Sequence, residues 1–186
     1  MSTAPPQDAT RRSAAVSGQA DELTGVLSRA AFDTRLAEEW KRALRTAQPL
    51  SLLLIDIDYF RAYVDTHHTP MGHARLRKIA DTLGGAVFRP TDLVARWGDD
   101  EFAILLPGVH ETGARVVAAR VRSLINALAM PHSGGVGGIV TVSIGVAALT
   151  PDEAGGTQQL VALCAQALEQ AKRMGRDNIV SQDWMA

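Results

Sequence analysis

Two clusters of acidic residues are the features of this sequence that most clearly suggest chemistry. Asp99, Asp100 and Glu101 are consecutive, and Asp56 and Asp58 end an apolar run. Carboxylates held close together repel one another unless water or a cation surrounds them. Their oxygens are hard ligands of the kind that Mg²⁺ prefers. The residues alone therefore leave two interpretations open, a solvated surface turn and a divalent-metal site.

Positive charge for phosphate groups could come from the end of the last predicted helix. Lys172 and Arg176 are one helical turn apart there, and the amides of Tyr59, Phe60 and Arg61 could add neutral donors. Because Mg²⁺ on one or two carboxylates commonly bridges phosphates, the combination favours a nucleoside triphosphate site. Alternatively, the two cations are solvated and are favoured at a helix C-terminus by the helix dipole.

The acidic residues must be positioned by strands, which the apolar pattern predicts. Leu93–Ala95 and Phe102–Leu106 flank the acidic turn and are typical of an antiparallel hairpin. Leu50–Asp58 is almost continuously apolar, as expected of a central strand that is buried on both faces. Side-chain alternation would place the two aspartates of this strand on one face and leave the Ile57 carbonyl free at the strand end.

Four helices and two further strands are predicted around this centre. The first helix is expected after Ser28, with apolar residues from Phe32 to Leu44, and to end at Gln48-Pro49. The other helices are expected at about 74–88, 111–130 and 158–173, and the strands at 139–149 and 179–181. Ser28 is the predicted N-cap of the first helix. Residues 59–61 are predicted to form a short turn, followed by an irregular stretch through His67, His68 and Pro70.

This order of elements predicts an α+β fold. A strand-helix-strand-strand-helix-strand core resembles the ferredoxin-like arrangement, an antiparallel-rich central sheet flanked by helices. Such a sheet puts the strand 50–58 in the middle, beside the hairpin. Asp56 and Asp100 are therefore expected to approach each other.

Composition limits the classes of function. The chain has 186 residues, of which 46% are hydrophobic, so one domain with a sizeable core is expected over 21–182, between a disordered tail at 1–20 and a short tail at 183–186. A formal net charge of −1 gives no global attraction to nucleic acid or to an anionic membrane. We find neither an apolar run of about 18 residues nor a signal-peptide pattern, so we expect a cytoplasmic location.

Two further residue types attract attention but predict little chemistry. Cys164 lies in an apolar helical pattern, where a thiol is expected to pack as a small hydrophobe and not to act as a nucleophile. His67, His68 and His73 lack a fourth ligand at the spacing of a zinc site. Neither is interpreted as a functional centre.

Five motifs, in order along the chain, resemble the GGDEF family of diguanylate cyclases. They are Asp21-x-Leu-Thr-Gly25, Leu54-Ile-Asp-Ile-Asp58 with Phe60-Arg61, Ala95-Arg-Trp-Gly-Asp-Asp-Glu-Phe102, Val142-Ser-Ile-Gly-Val146 and Ala171-Lys-Arg-Met-Gly-Arg176. The resemblance covers residues 21 to about 181. It implies a nucleotidyl-cyclase-like form of the α+β fold and a place in bacterial cyclic di-GMP signalling.

The resemblance also implies roles for particular residues. Mg²⁺ or Mn²⁺ would be held by Asp56, the Ile57 carbonyl and Asp100 when GTP is bound, and Glu101 would assist the 3′-hydroxyl. Contacts to the phosphates and the nucleotide would come from Phe60, Arg61, Gly98, Lys172 and Arg176. In the family, two GTP-loaded domains meet head to head and each hydroxyl attacks the other's α-phosphate, which yields cyclic di-GMP.

Three positions depart from the family pattern. Asp99 replaces the second glycine of the signature and adds an anion where the nucleotide approaches the backbone, although Asp tolerates a left-handed turn better than most residues. Val64 and His73 occupy positions where the family usually has an Asn and an Asp that read the guanine edge. Unmet guanine polar groups would cost about 1–3 kcal/mol each, which predicts weakened guanine selectivity.

A second ligand site is predicted beside the hairpin. Arg89-Pro-Thr-Asp92 resembles the inhibitory Arg-x-x-Asp site of the family, which binds cyclic di-GMP, and Arg120 matches a further arginine of that site. An arginine can stack on guanine and bind its Hoogsteen edge while an aspartate accepts from the Watson–Crick edge. The alternative interpretation is an isolated surface ion pair.

The sequence favours a cyclic di-GMP receptor whose guanine pocket is degenerate. An active or weak diguanylate cyclase is the alternative, because the residues implied in catalysis are kept, and an interaction scaffold with both sites idle is a third. The expected ligands are cyclic di-GMP and GTP. The expected partners are a second copy of the chain, linked by the bivalent ligand, and an unidentified sensory or effector protein.

Overall fold

The structure, a computed structural model, describes residues 19–67 and 69–182. The predicted C-terminal tail, His68 and residues 1–18 of the predicted N-terminal tail lie outside these ranges. The helices are α1 (Arg29–Thr46), α2 (Phe60–His67), α3 (Thr69–Ala86), α4 (Glu111–Ala127) and α5 (Thr157–Arg173). The strands are β1 (Leu50–Ile57), β2 (Leu93–Arg96), β3 (Glu101–Pro107), β4 (Val142–Leu149) and β5 (Ile179–Ser181).

The strands form one five-stranded sheet in the order β2-β3-β1-β4-β5. β1 is antiparallel to both of its neighbours, the hairpin β2–β3 is antiparallel, and only β5 runs parallel to its neighbour β4. The predicted antiparallel-rich α+β sheet with β1 at its centre is therefore confirmed. The hairpin lies directly beside β1, because β3 pairs with β1 from Leu50 to Asp56.

Helices cover both faces of the sheet. Leu53 and Ile55 point into a core that contains the apolar stripes of α3 and α4, for example Ile79 and Val121. The alternate residues of β1, such as Leu52, point into a second core formed with α1 and α5. Burial on both faces explains why the sequence of β1 is apolar without a break.

The main difference from prediction lies after β1. Residues predicted as a turn and an irregular stretch instead form α2, and α3 begins at Thr69, five residues before its expected start. Pro70 does not interrupt α3, because a proline in the first helical turn removes an N–H that has no intrahelical acceptor. The N-cap prediction is confirmed, since the Ser28 hydroxyl accepts from the Ala31 amide.

Two other boundaries also shift. α4 ends at Ala127 and not near residue 130, and Ala129 has a left-handed φ of 45°. β4 begins at Val142, because Ile139 forms only an isolated bridge with Pro131. Within the described ranges, no helix is long and apolar enough to cross a membrane.

Candidate functional site

The register of the sheet brings the acidic turn to the end of β1. Asp56 pairs with Glu101 across the β1–β3 ladder. The next residue, Ile57, is the last of β1, and its amide donates to the Asp100 carbonyl at 3.1 Å. The structure thus places Asp56 and Asp100 at the same end of the sheet, where the predicted strand order puts them.

The turn is held by its own backbone and by Arg96, a residue that the sequence reasoning missed. The amides of Trp97 and Gly98 both donate to the Glu101 carbonyl, at 2.8 and 3.1 Å. The Arg96 guanidinium donates to the carbonyls of Gly98 and Asp99. A Cβ on Gly98 would lie 2.9 Å from a carboxylate oxygen of Glu101, so the close approach requires this glycine.

Asp99 fits the turn without adopting the left-handed conformation that the sequence analysis considered for it. Neither Gly98 nor Asp99 has a positive φ, so a side chain at position 99 adds no backbone strain. Asp99 is exposed to solvent. The consequence of this substitution is therefore an added surface charge and not a distorted hairpin.

Asp56 and Lys172 form the central ion pair of the site. Lys172 Nζ lies 2.9 Å from Asp56 Oδ2. Burial raises the pKa of Asp56 to about 6; the Lys172 ammonium opposes this rise, while Asp100 and Glu101 add to it. Burial alone would lower the pKa of Lys172, but its hydrogen bond to Asp56 leaves that pKa above the usual value. Burial also raises the pKa of Glu101.

This donor set suits a hard divalent cation. Burial is the main cause of the raised pKa of Asp56, and the charges of Asp100 and Glu101 raise it further. Three carboxylates at one place create a negative potential that a cation would relieve. Among residues 19–67 and 69–182, no three His, Cys, Asp or Glu side chains form a ready-made metal cluster. Mg²⁺ does not need one, because it typically takes one or two carboxylates together with waters and substrate phosphates. Asp56 and Asp100 therefore fit Mg²⁺ or Mn²⁺, with Lys172 as the cation that balances Asp56 in the protein alone.

The first turn of α2 lies next to this acidic edge. Phe60 and Arg61 begin the helix, and two residues separate it from the end of β1. Their amides have no intrahelical acceptor. The Phe60 side chain is buried, whereas that of Arg61 is exposed. Only the backbone of Phe60, but both backbone and side chain of Arg61, can face a ligand.

Arg176 is held over the ring of Tyr59. Its guanidinium carbon lies 4.3 Å from the ring centroid, and Nη1 donates to the Tyr59 hydroxyl at 3.2 Å. Tyr59, Arg176 and Asp177 all have left-handed φ values, of 55°, 64° and 42°. Such values are costly for residues other than glycine and persist only where the surroundings impose them.

Asp58 supplies part of that constraint. Its buried carboxylate accepts from the Thr141 hydroxyl at 2.7 Å, the Ser143 hydroxyl at 2.6 Å and the Asp177 amide at 2.9 Å. These three donors occupy both carboxylate oxygens. Asp58 therefore fastens the loop after α5 to β4.

The side chain of Asp177 fastens the same loop to α4. It accepts from Arg122 Nε and Nη2, both at 2.8 Å, and from the Asn126 amide at 3.0 Å. The buried His132 contacts Tyr59, with its Nε2 3.2 Å from the Tyr59 carbonyl oxygen. The sequence alone assigns no role in the site to Arg122, Asn126 or His132.

The two positions expected to read guanine differ in environment. Val64 is partly buried, and its Cγ2 would lie 2.9 Å from a Cβ on Gly72, so it packs α2 against α3. His73 is exposed on α3. Val64 therefore contributes an apolar helix contact and offers no hydrogen bond to a base.

The Arg-x-x-Asp residues form a compact turn before β2. The Arg89 amide is 3.4 Å from Asp92 Oδ2, the Asp92 amide donates to the Arg89 carbonyl at 3.0 Å, and Arg89 Nη1 donates to the Pro107 carbonyl at 2.9 Å. The Asp92 side chain is only 5% exposed. Its Oδ1 is buried and lies 4.0 Å from Arg89 Nη1 in an ion pair, but it has no hydrogen-bond partner among the described residues. Burial raises the pKa of the carboxyl group, and the Arg89 charge opposes this rise.

Arg120 is close to this turn. Its Nη1 donates to the Ala86 carbonyl at 2.9 Å, and its guanidinium lies 4.4 Å from the centroid of Phe88, the residue before Arg89. The turn with Arg89 precedes β2 and the acidic turn follows it. The two candidate sites thus lie at opposite ends of β2.

Cys164 has the inert environment that was predicted. It is fully buried, and its thiol donates to the carbonyls of Leu52 and Gly145, both at 3.2 Å. Burial raises the pKa of the thiol. A thiol without access to solvent and with a raised pKa is a poor nucleophile.

The sheet order and the acidic edge define an α+β domain that presents carboxylates, a lysine and an arginine at one end of its central strands. Residues 19–178 match the family described as "Diguanylate cyclase, GGDEF domain". The chain belongs to the GGDEF family, a family of cyclic di-GMP signalling, and the resemblance read from the sequence is confirmed.

Characterised relatives are longer than this chain. It is 31% identical over 170 residues to the "Probable diguanylate cyclase DgcT" of Escherichia coli, and the aligned region covers 88% of this chain and 35% of DgcT. It is 35% identical over 162 residues to the diguanylate cyclase DgcP of Pseudomonas aeruginosa, and the aligned region covers 86% of this chain and 23% of DgcP. The chain therefore spans about a third of the length of DgcT and about a quarter of that of DgcP.

Solved structures share the fold. The GGDEF domain of DgcB from Caulobacter crescentus in complex with c-di-GMP superposes with a TM-score of 0.81 at 25% identity, over 89% of this chain and 94% of that one. Diguanylate cyclase SiaD of Pseudomonas aeruginosa, in complex with its activator SiaC, superposes with a TM-score of 0.79 at 34% identity, over 94% of this chain and 67% of that one.

Proposed function

We propose that this domain binds cyclic di-GMP through Arg89, Asp92 and Arg120 and acts as a receptor in cyclic di-GMP signalling. The observation that carries the proposal is Oδ1 of Asp92, which is buried and has no hydrogen-bond donor among the described residues, although Arg89 Nη1 lies 4.0 Å away in an ion pair. A buried acceptor without a donor costs about 1–3 kcal/mol, and a ligand that supplies the donor recovers that cost. Guanine offers an N–H donor of this kind in its exocyclic amino group.

Arg89 supports the same assignment. One of its guanidinium nitrogens is fixed by the Pro107 carbonyl, while half of the side chain, 50%, remains exposed. A guanidinium that is held in place but still faces solvent is suited to the guanine Hoogsteen edge or to a phosphate. The related DgcB domain was solved in complex with c-di-GMP, which supports this choice of ligand.

We propose that the GTP site lacks the residues that recognise the guanine base but keeps the residues that would hold the metal. Val64 is committed to helix packing and offers no hydrogen bond, and His73 has a donor pattern different from that of an aspartate. Asp99 adds an exposed anion at the turn that phosphates would approach. Each of these changes is expected to weaken the binding of GTP more than the binding of cyclic di-GMP.

The experiment that tests the proposal is a calorimetric titration with cyclic di-GMP. The unmodified protein is expected to bind, and Arg89→Ala is expected to lose about tenfold or more in affinity, because a hydrogen bond to a charged group contributes about 1.5–3 kcal/mol. Arg45→Ala, at an exposed position on α1, is the matched control and is expected to bind like the unmodified protein. Absence of binding, or equal affinity of the Arg89 variant, would overturn the proposal.

A working or weak diguanylate cyclase is the second candidate, because the structure gathers Asp56, Asp100, Glu101 and Lys172 at one sheet end. Asp56, the Ile57 carbonyl and Asp100 would hold Mg²⁺ or Mn²⁺, which would neutralise phosphate charge when bound. Lys172 and Arg176 would bind the phosphates. Glu101, whose pKa is raised by burial, would accept a proton from the 3′-hydroxyl more readily than an exposed glutamate.

Substitutions of the adjacent Asp99 and Asp100 are expected to separate these candidates. When incubated with GTP and Mg²⁺, a cyclase forms cyclic di-GMP. Asp100→Ala would lower the rate of this reaction about a hundredfold or more, as expected when an electrostatic contact to the reacting groups is lost. Asp99→Gly restores the glycine of the family signature and should raise the rate. Chromatography of the product gives the answer. If no product forms with either the unmodified protein or Asp99→Gly, the cyclase candidate fails.

The remaining proposals concern partners and location. Cyclic di-GMP carries two guanines, so one ligand can link two copies of the domain into a dimer. SiaD was solved in complex with an activator protein, and we propose that this chain also binds an unidentified sensory or effector protein. We place it in the cytoplasm, where GTP is available.

A further inference from the structure

Phe88 stands out among the large apolar side chains because 63% of it is exposed. Single exposed apolar residues are common, so exposure alone decides nothing. What distinguishes Phe88 is its position directly before Arg89 and its contact with Arg120. It joins two arginines that come from different parts of the chain.

The contact fixes Arg120 in one orientation. The guanidinium lies over the Phe88 ring at 4.4 Å, and Nη1 donates to the Ala86 carbonyl at 2.9 Å. No other partner of the Arg120 guanidinium is present in the part of the chain that the structure describes. The guanidinium carbon thus lies over one side of the ring, and the donors other than Nη1 remain for a ligand.

Such an orientation matters for binding. Arginine has one of the largest side-chain entropies, and a ligand that must immobilise it loses affinity. A planar guanidinium that is already ordered can stack on a purine, as it stacks on aromatic side chains. The aromatic ring beneath would make that stacking surface rigid.

We propose that Phe88 is a positioning residue for cyclic di-GMP, because its ring, directly before Arg89 in the chain, holds the Arg120 guanidinium at the turn in which Asp92 Oδ1 lacks a hydrogen bond. The inference rests on the proposed function of this site. Guanine would stack on the outer surface of Arg120, so that ring, guanidinium and base form one column. Phe88 then contributes affinity, while Asp92 reads the base.

Three substitutions of Phe88 test this inference by titration with cyclic di-GMP. Phe88→Ala and Phe88→Leu are expected to weaken binding about threefold to tenfold, because neither provides an aromatic face for the cation. Phe88→Tyr keeps the ring and should bind within about twofold of the unmodified protein. Because the side chain is exposed, none should move the melting temperature appreciably.

A double-mutant cycle separates positioning from direct contact. In an Arg120→Ala background, Phe88→Ala should cause no further loss, because its effect runs through Arg120. Equal losses in both backgrounds would overturn the inference, as would a Phe88→Leu variant that binds like the unmodified protein. An unmodified protein that does not bind would instead overturn the proposed function itself.

Discussion

Gly145→Ala is expected to lower the free energy of unfolding by about 3 kcal/mol or more, because overpacking at a site that cannot relax lies at the upper end of its usual cost. An added Cβ would lie 2.3 Å from the Cys164 carbonyl oxygen and 2.4 Å from the Leu168 amide nitrogen. Both are backbone atoms of α5, so no side-chain rotation relieves the overlap. Urea denaturation measures the effect.

Gly84→Ala is the matched control. Gly84 lies in α3, and a Cβ there meets nothing within 4 Å. This substitution is expected to raise stability by about 0.5–1 kcal/mol, because alanine is the better helix former. A Gly145→Ala variant within about 1 kcal/mol of the unmodified protein would contradict the close approach of β4 and α5, since core overpacking normally costs more.

The prediction also bears on the site. α5 carries Lys172, which lies 2.9 Å from Asp56. A helix pushed off the sheet moves this ammonium away from the carboxylate. The glycine of the Val142-Ser-Ile-Gly-Val146 motif therefore has a packing role that supports the candidate nucleotide site.

The sheet could be predicted because its signals are local. The run of β1 is apolar on both faces, and two apolar segments flank the turn at Gly98, so pairing rules put Asp56 near Asp100. The sequence does not predict α2, because Pro70 and two adjacent histidines are typical of an irregular stretch. A proline in a first helical turn gives the same pattern.

The contacts that hold the site together could not be predicted in the same way. Asp58 binds Thr141, Ser143 and Asp177, which are 83, 85 and 119 residues away in the sequence. Contacts of this range leave no periodic pattern, so an acidic residue at a strand end is equally compatible with a metal ligand. Likewise, the Asp92 oxygen lacks a hydrogen bond only because the packed turn buries it.

Asp58→Ala is expected to cost about 3 kcal/mol of stability, because loss of one partner in a buried charged network leaves the others unsatisfied. Removal of the carboxylate takes the acceptor from two buried hydroxyls, of Thr141 and Ser143, and from the Asp177 amide. Hydroxyls can rotate to other acceptors, whereas the amide cannot, which keeps the cost below the sum of three bonds. Urea denaturation again measures it.

Asp152→Ala is the matched control, because Asp152 also accepts from two backbone amides, of Ala154 and Gly155, but at an exposed position. Its loss should cost less than about 1 kcal/mol, as is usual for exposed substitutions and lost caps. The interpretation of Asp58 as a buried anchor fails if both variants lose the same stability.

The two candidate ligand sites should respond differently to the loss of Asp58. Without this anchor, the left-handed conformation of Arg176 and Asp177 loses one of its constraints. The Arg176 side chain then becomes more mobile, so GTP affinity should fall. Cyclic di-GMP affinity should stay within about twofold, since Arg89 lies at the other end of β2 and shares no partner with Asp58 among the described residues. Calorimetry with both ligands on this one variant would show whether the two sites act independently, and a parallel loss of both affinities would argue that they do not.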